Sequence, residues 1–337
     1  MKTLLAGIAA GALLLLPPAV QADSAAPAYA VTDRLAIPDG GFDYVSFDPV
    51  LRRIYVSRGD GVTALDVDSG KLTGHFADGA RTHEPLPVNG GRQVLLTNGG
   101  TNSARLLDAA NGALVADIPT AEKPDAAIFD PASGLVLVMT HSGAITLVDP
   151  KSQKPVGAIA VGGALEFAAA DGHGHAWVNV EDTGDLVALD VGGQKVAARY
   201  PLKGCTGPSG LAYDDATGLL VVACANNVAK IIKAADGSEV ASLAIGAGPD
   251  SVILDAGRRL AFVPCGRDGV ISVIALRGPT DVAVAATITT QRGARTGAVD
   301  PKTGKLYLPT ATYTMPEGGG RPQPTPGSFQ LLVVSPQ

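Results

Sequence analysis

A sequence unit of about 40 to 45 residues recurs from Phe42 to the C-terminus. In the clearest copy, residues 123–162, four short apolar runs are separated by Asp-Pro-Ala-Ser-Gly, His-Ser-Gly and Asp-Pro-Lys-Ser-Gln-Lys. These separators favour tight turns, because their residues preset or tolerate unusual backbone angles. Each copy is therefore predicted to form one antiparallel sheet of four short strands. A repeat of this length and content is typical of a β-propeller blade.

The number of blades follows from the residue that ends the first strand of each copy. This position is occupied by Asp48, Val88, Asp130, Asp171, Asp214, Asp255 and Asp300. The last copy stops one strand short, whereas the segment from Tyr29 to Ile37 reads like an outer strand without the rest of its blade. The sequence therefore predicts an all-β, seven-bladed propeller of four-stranded antiparallel blades, closed by an N-terminal strand in the last blade.

The N-terminus reads as a secretory signal peptide. Lys2 precedes an apolar run from Leu4 to Leu16, and Val20-Gln21-Ala22 supplies small residues at a cleavage site before Asp23. The run is short for a membrane span, although an N-terminal anchor is the alternative. We expect residues 1–22 to be removed, residues 23–337 to form one propeller domain without a membrane span, and the mature protein to be periplasmic or secreted.

The charge of the chain argues against nucleic acid as a partner. Removal of residues 1–22 takes away one positive charge and changes the formal net charge from −6 to −7. An acidic body repels phosphate backbones and anionic membrane surfaces. The adjacent pairs Arg52-Arg53 and Arg258-Arg259 fall in predicted turns, where solvated charges are ordinary. A small ligand or a protein partner is therefore expected.

Three cysteines in an exported chain allow one disulfide. Cys205 lies in the loop that enters blade five, and Cys224 ends the second strand of that blade, so both open onto the same face. Cys265 takes the place of Cys224 in blade six, where the distance between neighbouring blades is too great for a bond. The expected disulfide is Cys205–Cys224, and three free thiols are the alternative.

One column of the repeat is rich in ionisable side chains. It lies five residues before the end of each first strand, on the loop side of the strand that lines the channel. We call these residues the mouth ring: Asp43, His83, Asp125, Glu166, Ser209, Asp250 and Arg295. Because the first strands of a propeller surround its central channel, we expect the mouth ring to encircle one end of the channel and bind a ligand there.

The chemistry of the mouth ring stays open at this point. The oxygen ligands that a hard divalent cation prefers are offered by Asp43, Asp125, Glu166 and Asp250. Arg295 would orient an anionic or carbonyl group. Alternatively, close carboxylates raise one another's pKa and provide a general acid or base. A third interpretation is that these residues are solvated or cap the N–H groups of neighbouring loops.

Two further features fall on the same face. The turns after the second strands carry a second set of polar residues: Arg58, Asn98, His141, Glu181, Asn226 and Arg267. The insertion from Met315 to Gly327 is rich in Pro and Gly and is either a lid over the channel or a surface loop without a function.

Several stretches together carry a resemblance to a known family. They are Gly41-Phe42-Asp43-Tyr44, Arg52-Arg53-Ile54-Tyr55-Val56-Ser57, Pro124-Asp125-Ala126, Val178-Asn179-Val180-Glu181-Asp182 and Gln291-Arg292-Gly293-Ala294-Arg295-Thr296. They resemble the YncE-like, YVTN-repeat family of exported bacterial propellers. The resemblance implies seven blades and a periplasmic or secreted location, and it implies no particular activity.

Three functions are compatible with these features, and the third is a structural or partner-docking protein that uses the outer blade edges. The first is a periplasmic binding or scaffold propeller that holds a small ligand, a metal ion or a partner at the channel mouth, without catalysis. The second is a hydrolase of the lactonase type, in which His83 or Glu166 is the general base and Arg295 stabilises the oxyanion. Nucleophile elbows, phosphate-binding glycine loops and haem-attachment motifs are absent from the sequence.

Overall fold

The computed structural model describes residues 28–316 and 322–337. In these residues, seven four-stranded antiparallel sheets form a ring, and no helix is present. The first strand of each sheet contacts the first strand of the next, so these strands surround the central channel. The predicted seven-bladed propeller is confirmed. The proposed signal peptide, residues 1–22, lies outside the described residues, and nothing in the described part could cross a membrane as a helix.

We number the blades 1 to 7 and give their strands from the channel outward. Blade 1 comprises Phe42–Asp48, Arg53–Arg58, Gly61–Asp66 and Leu72–Asp78. Blade 2 comprises Thr82–Val88, Gln93–Asn98, Ser103–Asp108 and Leu114–Pro119. Blade 3 comprises Pro124–Asp130, Leu135–Thr140, Ala144–Asp149 and Lys154–Ala160. Blade 4 comprises Leu165–Ala170, His175–Val180, Asp185–Asp190 and Lys195–Pro201. Blade 5 comprises Pro208–Asp214, Leu219–Cys224, Val228–Lys233 and Glu239–Ala244. Blade 6 comprises Ile253–Asp255, Leu260–Cys265, Val270–Leu276 and Val282–Thr289. Blade 7 comprises Ala298–Val299, Leu306–Thr310, Gln330–Pro336 and Tyr29–Ala36.

Burial explains why the middle strands are continuously apolar. Each second and third strand is sandwiched between neighbouring blades, so both of its faces are covered. Every residue of Leu219–Cys224 and Leu260–Cys265 is buried. The outer strand Lys195–Pro201 instead alternates between exposed and half-buried residues, because only one of its faces meets the protein.

The two ends of the chain close the ring. Tyr29–Ala36 pairs antiparallel with Gln330–Pro336, in a register that runs from Tyr29 opposite Pro336 to Ala36 opposite Gln330. The Tyr29 ring packs edge-on against Phe262 of blade 6, with ring centroids 5.1 Å apart. The N-terminal strand is therefore fixed by its own blade and by the neighbouring one.

A partly buried ion pair joins blade 1 to blade 7. Arg52 donates from Nη1 and Nη2 to the two carboxylate oxygens of Asp300, at 2.8 and 2.9 Å. The Asp300 carboxylate is almost completely buried and also caps its own turn by accepting a bond from Lys302 N at 3.0 Å. This pair reinforces the junction that the N-terminal strand closes.

Cys205 and Cys224 form a disulfide, with Cα atoms 5.4 Å apart, and Cys265 is a buried free thiol. We expect the double variant Cys205→Ser/Cys224→Ser to lose about 3 kcal/mol of unfolding free energy, because the bond closes a loop with a sequence separation of 19. Denaturant unfolding of the oxidised protein and of the variant measures this loss. A reductant should destabilise the oxidised protein and leave the variant unchanged; equal stability in all four samples would contradict the prediction.

The insertion from Met315 to Gly327 is described in part. Tyr313–Thr314 pairs with Gln323–Pro324 as a short two-stranded sheet, and residues 317–321 lie outside the described residues. Gly327 N donates to the carboxylate of Asp39 at 2.8 Å, which ties the end of the insertion to the loop before blade 1. Its role as a lid stays a prediction.

Candidate functional site

The residues of the mouth ring occupy a repeated irregularity of the first strands. In blades 1 to 5 the register between the first and second strands shifts across the ring position. Such a bulge leaves a residue without its ladder partner and turns its side chain out of the regular alternation. The side chains of several mouth-ring residues can therefore approach one another across neighbouring blades.

Four blades contribute to a continuous chain of imidazole and carboxylate contacts. His83 Nδ1 lies 2.7 Å from Asp43 Oδ2 and 3.0 Å from Asp125 Oδ1. His141 Nε2 lies 3.5 Å from the other oxygen, Asp125 Oδ2, and 3.3 Å from Glu166 Oε1. Asp125 therefore bridges the two imidazoles, using one carboxylate oxygen for each.

Arg295 extends this chain in the other direction. Its Nε lies 2.7 Å from Asp250 Oδ2, and its Nη2 lies 3.8 Å from Asp43 Oδ1. The guanidinium carbon also lies 5.8 Å from the centroid of the Phe42 ring. Arg295 is thus held between two carboxylates, and Asp250 is engaged by a cation rather than joined to the histidine cluster.

Ser209 is the mouth-ring residue that the structure does not connect to the others. Its Oγ is buried and has no hydrogen-bond partner in the described part of the chain. Its backbone carbonyl accepts a bond from Asn179 Nδ2 at 3.0 Å. The side-chain contacts therefore continue from blade 6 through blades 7, 1, 2 and 3 to blade 4, and they are interrupted at blade 5.

His141 is a member of the site that the mouth-ring column does not contain. It was predicted on the same face, among the polar turn residues, and was given no partner there. The residue immediately follows the strand Leu135–Thr140, and its backbone N–H donates to Lys123 O at 3.1 Å. This bond holds the turn against the loop that enters blade 3, and the imidazole reaches Asp125 and Glu166.

The close packing of these groups changes their pKa values. Hydrogen bonds to Asp125 and Glu166 raise the pKa of His141 to about 10. Burial opposes the charged form of His83, but the hydrogen bond to Asp43 and the charge of Asp125 outweigh it, so its pKa is also raised. Burial raises the pKa of Glu166 to about 7, with Asp125 adding to the rise and His141 opposing it. Protons and cations therefore compete for this cluster near neutral pH.

Among the described residues, two overlapping groups of ligand atoms are compact enough to hold a metal ion. Asp43, His83 and Asp125 form one group, and Asp125, His141 and Glu166 form the other. Within each group, one ligand atom from every residue lies within 4.8 Å of the others. The structure thus places three of the four predicted metal-ligating carboxylates beside an imidazole, and leaves Asp250 with Arg295.

An aromatic pair forms the floor of the mouth. Tyr44 follows Asp43 in blade 1, and its ring packs against Phe167 of blade 4 with centroids 5.2 Å apart. These blades are not neighbours in the ring, so the contact crosses the channel. Burial raises the pKa of Tyr44 well above its ordinary value, and the nearby charges of Asp125 and Glu166 raise it further. Tyr44 therefore lies close beneath the charged cluster.

The fold has solved counterparts. A structure titled hydrazine synthase from Kuenenia stuttgartiensis is 14% identical, with a TM-score of 0.72 over 81% of this chain and 93% of that chain. A chain in a crystal structure of the mitotic checkpoint complex is 13% identical, with a TM-score of 0.74 over 99% of both chains. Identities this low show the fold alone. No protein-family profile and no curated protein matches the chain.

Proposed function

We propose that this protein is a binding propeller whose channel mouth holds a divalent metal ion. The supporting observation is the bridging position of Asp125 between His83 and His141, with Asp43 and Glu166 at the two ends. Imidazole and carboxylate together suit Zn²⁺ and other divalent transition metals better than a hard cation such as Ca²⁺, which prefers oxygen ligands alone. The two histidines thus change the preferred metal class from the one expected for four carboxylates.

Metal binding at this cluster requires proton release. An imidazole coordinates a metal only in its neutral form, and His141 carries a pKa raised to about 10. At neutral pH a metal ion must displace the protons that the carboxylates hold on the imidazoles. The affinity should therefore rise with pH through the neutral range, and the metal should replace protonated histidine as the cation that the carboxylates share.

We expect Zn²⁺ to raise the midpoint of thermal unfolding of chelator-treated protein. A metal that binds only the folded state stabilises it by about 2.7 kcal/mol at 100 times the dissociation constant. The double variant His83→Gln/His141→Gln should lose most of this shift, because it removes the nitrogen ligand of both groups. The shift in wild-type protein should be larger at pH 8 than at pH 6.

The matched control for this experiment is His173→Gln. His173 is exposed in the turn between the first and second strands of blade 4, away from the mouth. This variant should respond to Zn²⁺ like the wild type. An equal response in His83→Gln/His141→Gln, or no response of the wild-type protein to Zn²⁺, Mn²⁺ or Ni²⁺, would exclude the proposed site.

We also propose that the protein is exported to an oxidising compartment. The disulfide between Cys205 and Cys224 supports this location, since such bonds persist outside the reducing cytosol. The resemblance to the YncE-like family supports it as well. Protein recovered from the periplasm or the medium should begin at Asp23; a cytosolic chain that retains residues 1–22 would contradict the proposal.

A further inference from the structure

The end of the channel opposite the mouth contains a cavity of about 380 Å³. We call it the lower cavity. Its wall is formed by first strands of several blades and is largely apolar, with Phe47, Ile128, Phe129, Phe167 and Val299 among its lining residues. Phe47 and Phe129 directly precede the residues that end their first strands, and Val299 ends its own, which places all three at the outlet. The volume is within the range of small-molecule sites.

The lower cavity is separate from the metal-binding cluster. Tyr44 and Phe167 line its inner end and pack against each other across the channel. The charged residues of the mouth lie on the far side of this pair, and none of them lines the cavity. A ligand of the lower cavity therefore enters from the face opposite the mouth.

One carboxyl group is present among the described residues that line this apolar space. Glu84 is 3% exposed and accepts a hydrogen bond at Oε1 from the hydroxyl of Ser46. Its backbone N–H donates to Thr97 Oγ1 at 2.8 Å, which fixes the strand at the bulge. Among the described residues no other hydrogen bond reaches its carboxyl group. Glu84 thus retains acceptor capacity that a donor group inside the cavity can use.

The lining also indicates the charge of the ligand. No Lys, Arg or His side chain is among the described residues that line the cavity. The guanidinium carbon of Arg52 lies 5.5 Å from the centroid of the Phe47 ring, but Asp68 and Asp300 already pair with this cation. The apolar walls make a charged ligand costly to desolvate. The aromatic rings at the outlet provide contact area for a flat apolar body, and the acceptor lies deeper, beside Ser46.

We propose that the lower cavity binds a neutral aromatic alcohol whose hydroxyl group donates a hydrogen bond to the Glu84 carboxyl. The aromatic body packs between the phenylalanine side chains of the outlet. This site is independent of the metal-binding cluster, and it gives the propeller a binding function on its second face.

Isothermal titration calorimetry with 2-naphthol and naphthalene tests the proposal on the mature, metal-free protein. The two compounds have the same ring body and differ by one hydroxyl group. We expect 2-naphthol to bind at least tenfold more tightly than naphthalene. Glu84→Leu should abolish this preference while naphthalene still binds, whereas Glu84→Gln, which retains an amide oxygen, should keep most of it.

Two valine substitutions test the location. Val299→Trp places an indole at the outlet and should weaken the binding of both compounds at least tenfold. Val50→Trp is the matched control, because Val50 is 62% exposed on the same face and does not line the cavity. Both variants are compared by their thermal unfolding transitions, and Glu84→Leu tests the same site if Val299→Trp does not fold.

Three results would overturn the proposal. The first is no saturable binding of either compound to wild-type protein. The second is equal affinity for 2-naphthol and naphthalene, which would remove the role of Glu84. The third is unchanged binding in folded Val299→Trp, which would place the compounds elsewhere.

Discussion

A chain that begins at Pro38 should fail to unfold cooperatively and should accumulate as aggregate. The truncation removes the strand Tyr29–Ala36 and every pairing that it makes with Gln330–Pro336. It also uncovers an edge strand in which Leu331, Leu332, Val333 and Val334 are all buried in the intact protein. An open apolar edge is a template for pairing with other chains. Because net stabilities are only about 5–15 kcal/mol, the loss of an entire strand is decisive.

The matched control is a chain that begins at Ala28 and keeps the strand. It should unfold in one cooperative transition with the stability of the mature protein. Soluble yield, size-exclusion profile and denaturant unfolding distinguish the two chains. A peptide of residues 28–37, added during refolding, should restore solubility to the shorter chain by strand addition. A shorter chain that is monomeric and cooperatively folded on its own would show that blade 7 does not need its fourth strand.

The substitution Glu84→Gln should remove a large part of the loss of stability that wild-type protein shows as pH rises. Burial raises the pKa of Glu84 to about 8, although the hydrogen bond from Ser46 opposes the rise. Its ordinary pKa is 4.5. The folded state therefore binds this proton more tightly than the unfolded state does. The associated stability is complete below pH 4.5 and is lost as the pH rises through 8.

The magnitude follows from the size of the shift. One unit of pKa corresponds to 1.36 kcal/mol. The difference in unfolding free energy between wild type and Glu84→Gln should therefore change by a few kcal/mol between pH 5 and pH 9. Urea unfolding of metal-free protein across this range measures it. The pKa values of three other residues are raised as well: His141, Glu166 and Asp250. The unfolding free energy of Glu84→Gln should therefore still decrease as the pH rises.

Glu122→Gln is the control for this pH experiment. Glu122 is exposed in the loop before blade 3, and its substitution should leave the pH profile of the wild type unchanged. Parallel profiles for wild type and Glu84→Gln would show that Glu84 does not carry the expected proton, and would contradict the prediction.

The fold was predictable because its determinants are local and repeated. Turn residues recur at a fixed period, and the apolar runs between them have the length of buried strands, so blade number and closure follow from counting. The strand at Tyr29–Ala36 was found because a copy lacking one strand implies that the strand comes from elsewhere. No long-range contact had to be guessed for either result.

The site was less predictable, because its contacts depend on the courses of loops. Counting from the turns identified the mouth ring but gave no distances, so the pairing of Asp250 with Arg295 and the bridging of Asp125 were not foreseen. His141 was noticed in a turn, and its reach to Glu166 depends on a backbone bond between two loops. These relations arise from tertiary packing, which the repeat period does not encode.

Glu84 was missed although the sequence carries a signal for it. The column that follows the mouth ring by one residue reads Tyr44, Glu84, Ala126, Phe167, Gly210, Ser251 and Thr296. Glu84 is the one member of this column that carries a carboxyl group, and such a group is out of place among residues of that kind. Comparing neighbouring columns of a repeat would have singled it out.

The contact between Tyr44 and Phe167 lies between the mouth ring and the lower cavity. A metal ion at the proposed site and a ligand in the proposed lower cavity would therefore lie on opposite sides of this pair. A rearrangement of this pair, or of the blades that carry it, would then couple the metal site to the lower cavity. The change in the affinity for 2-naphthol on addition of Zn²⁺ would measure this coupling as a free energy.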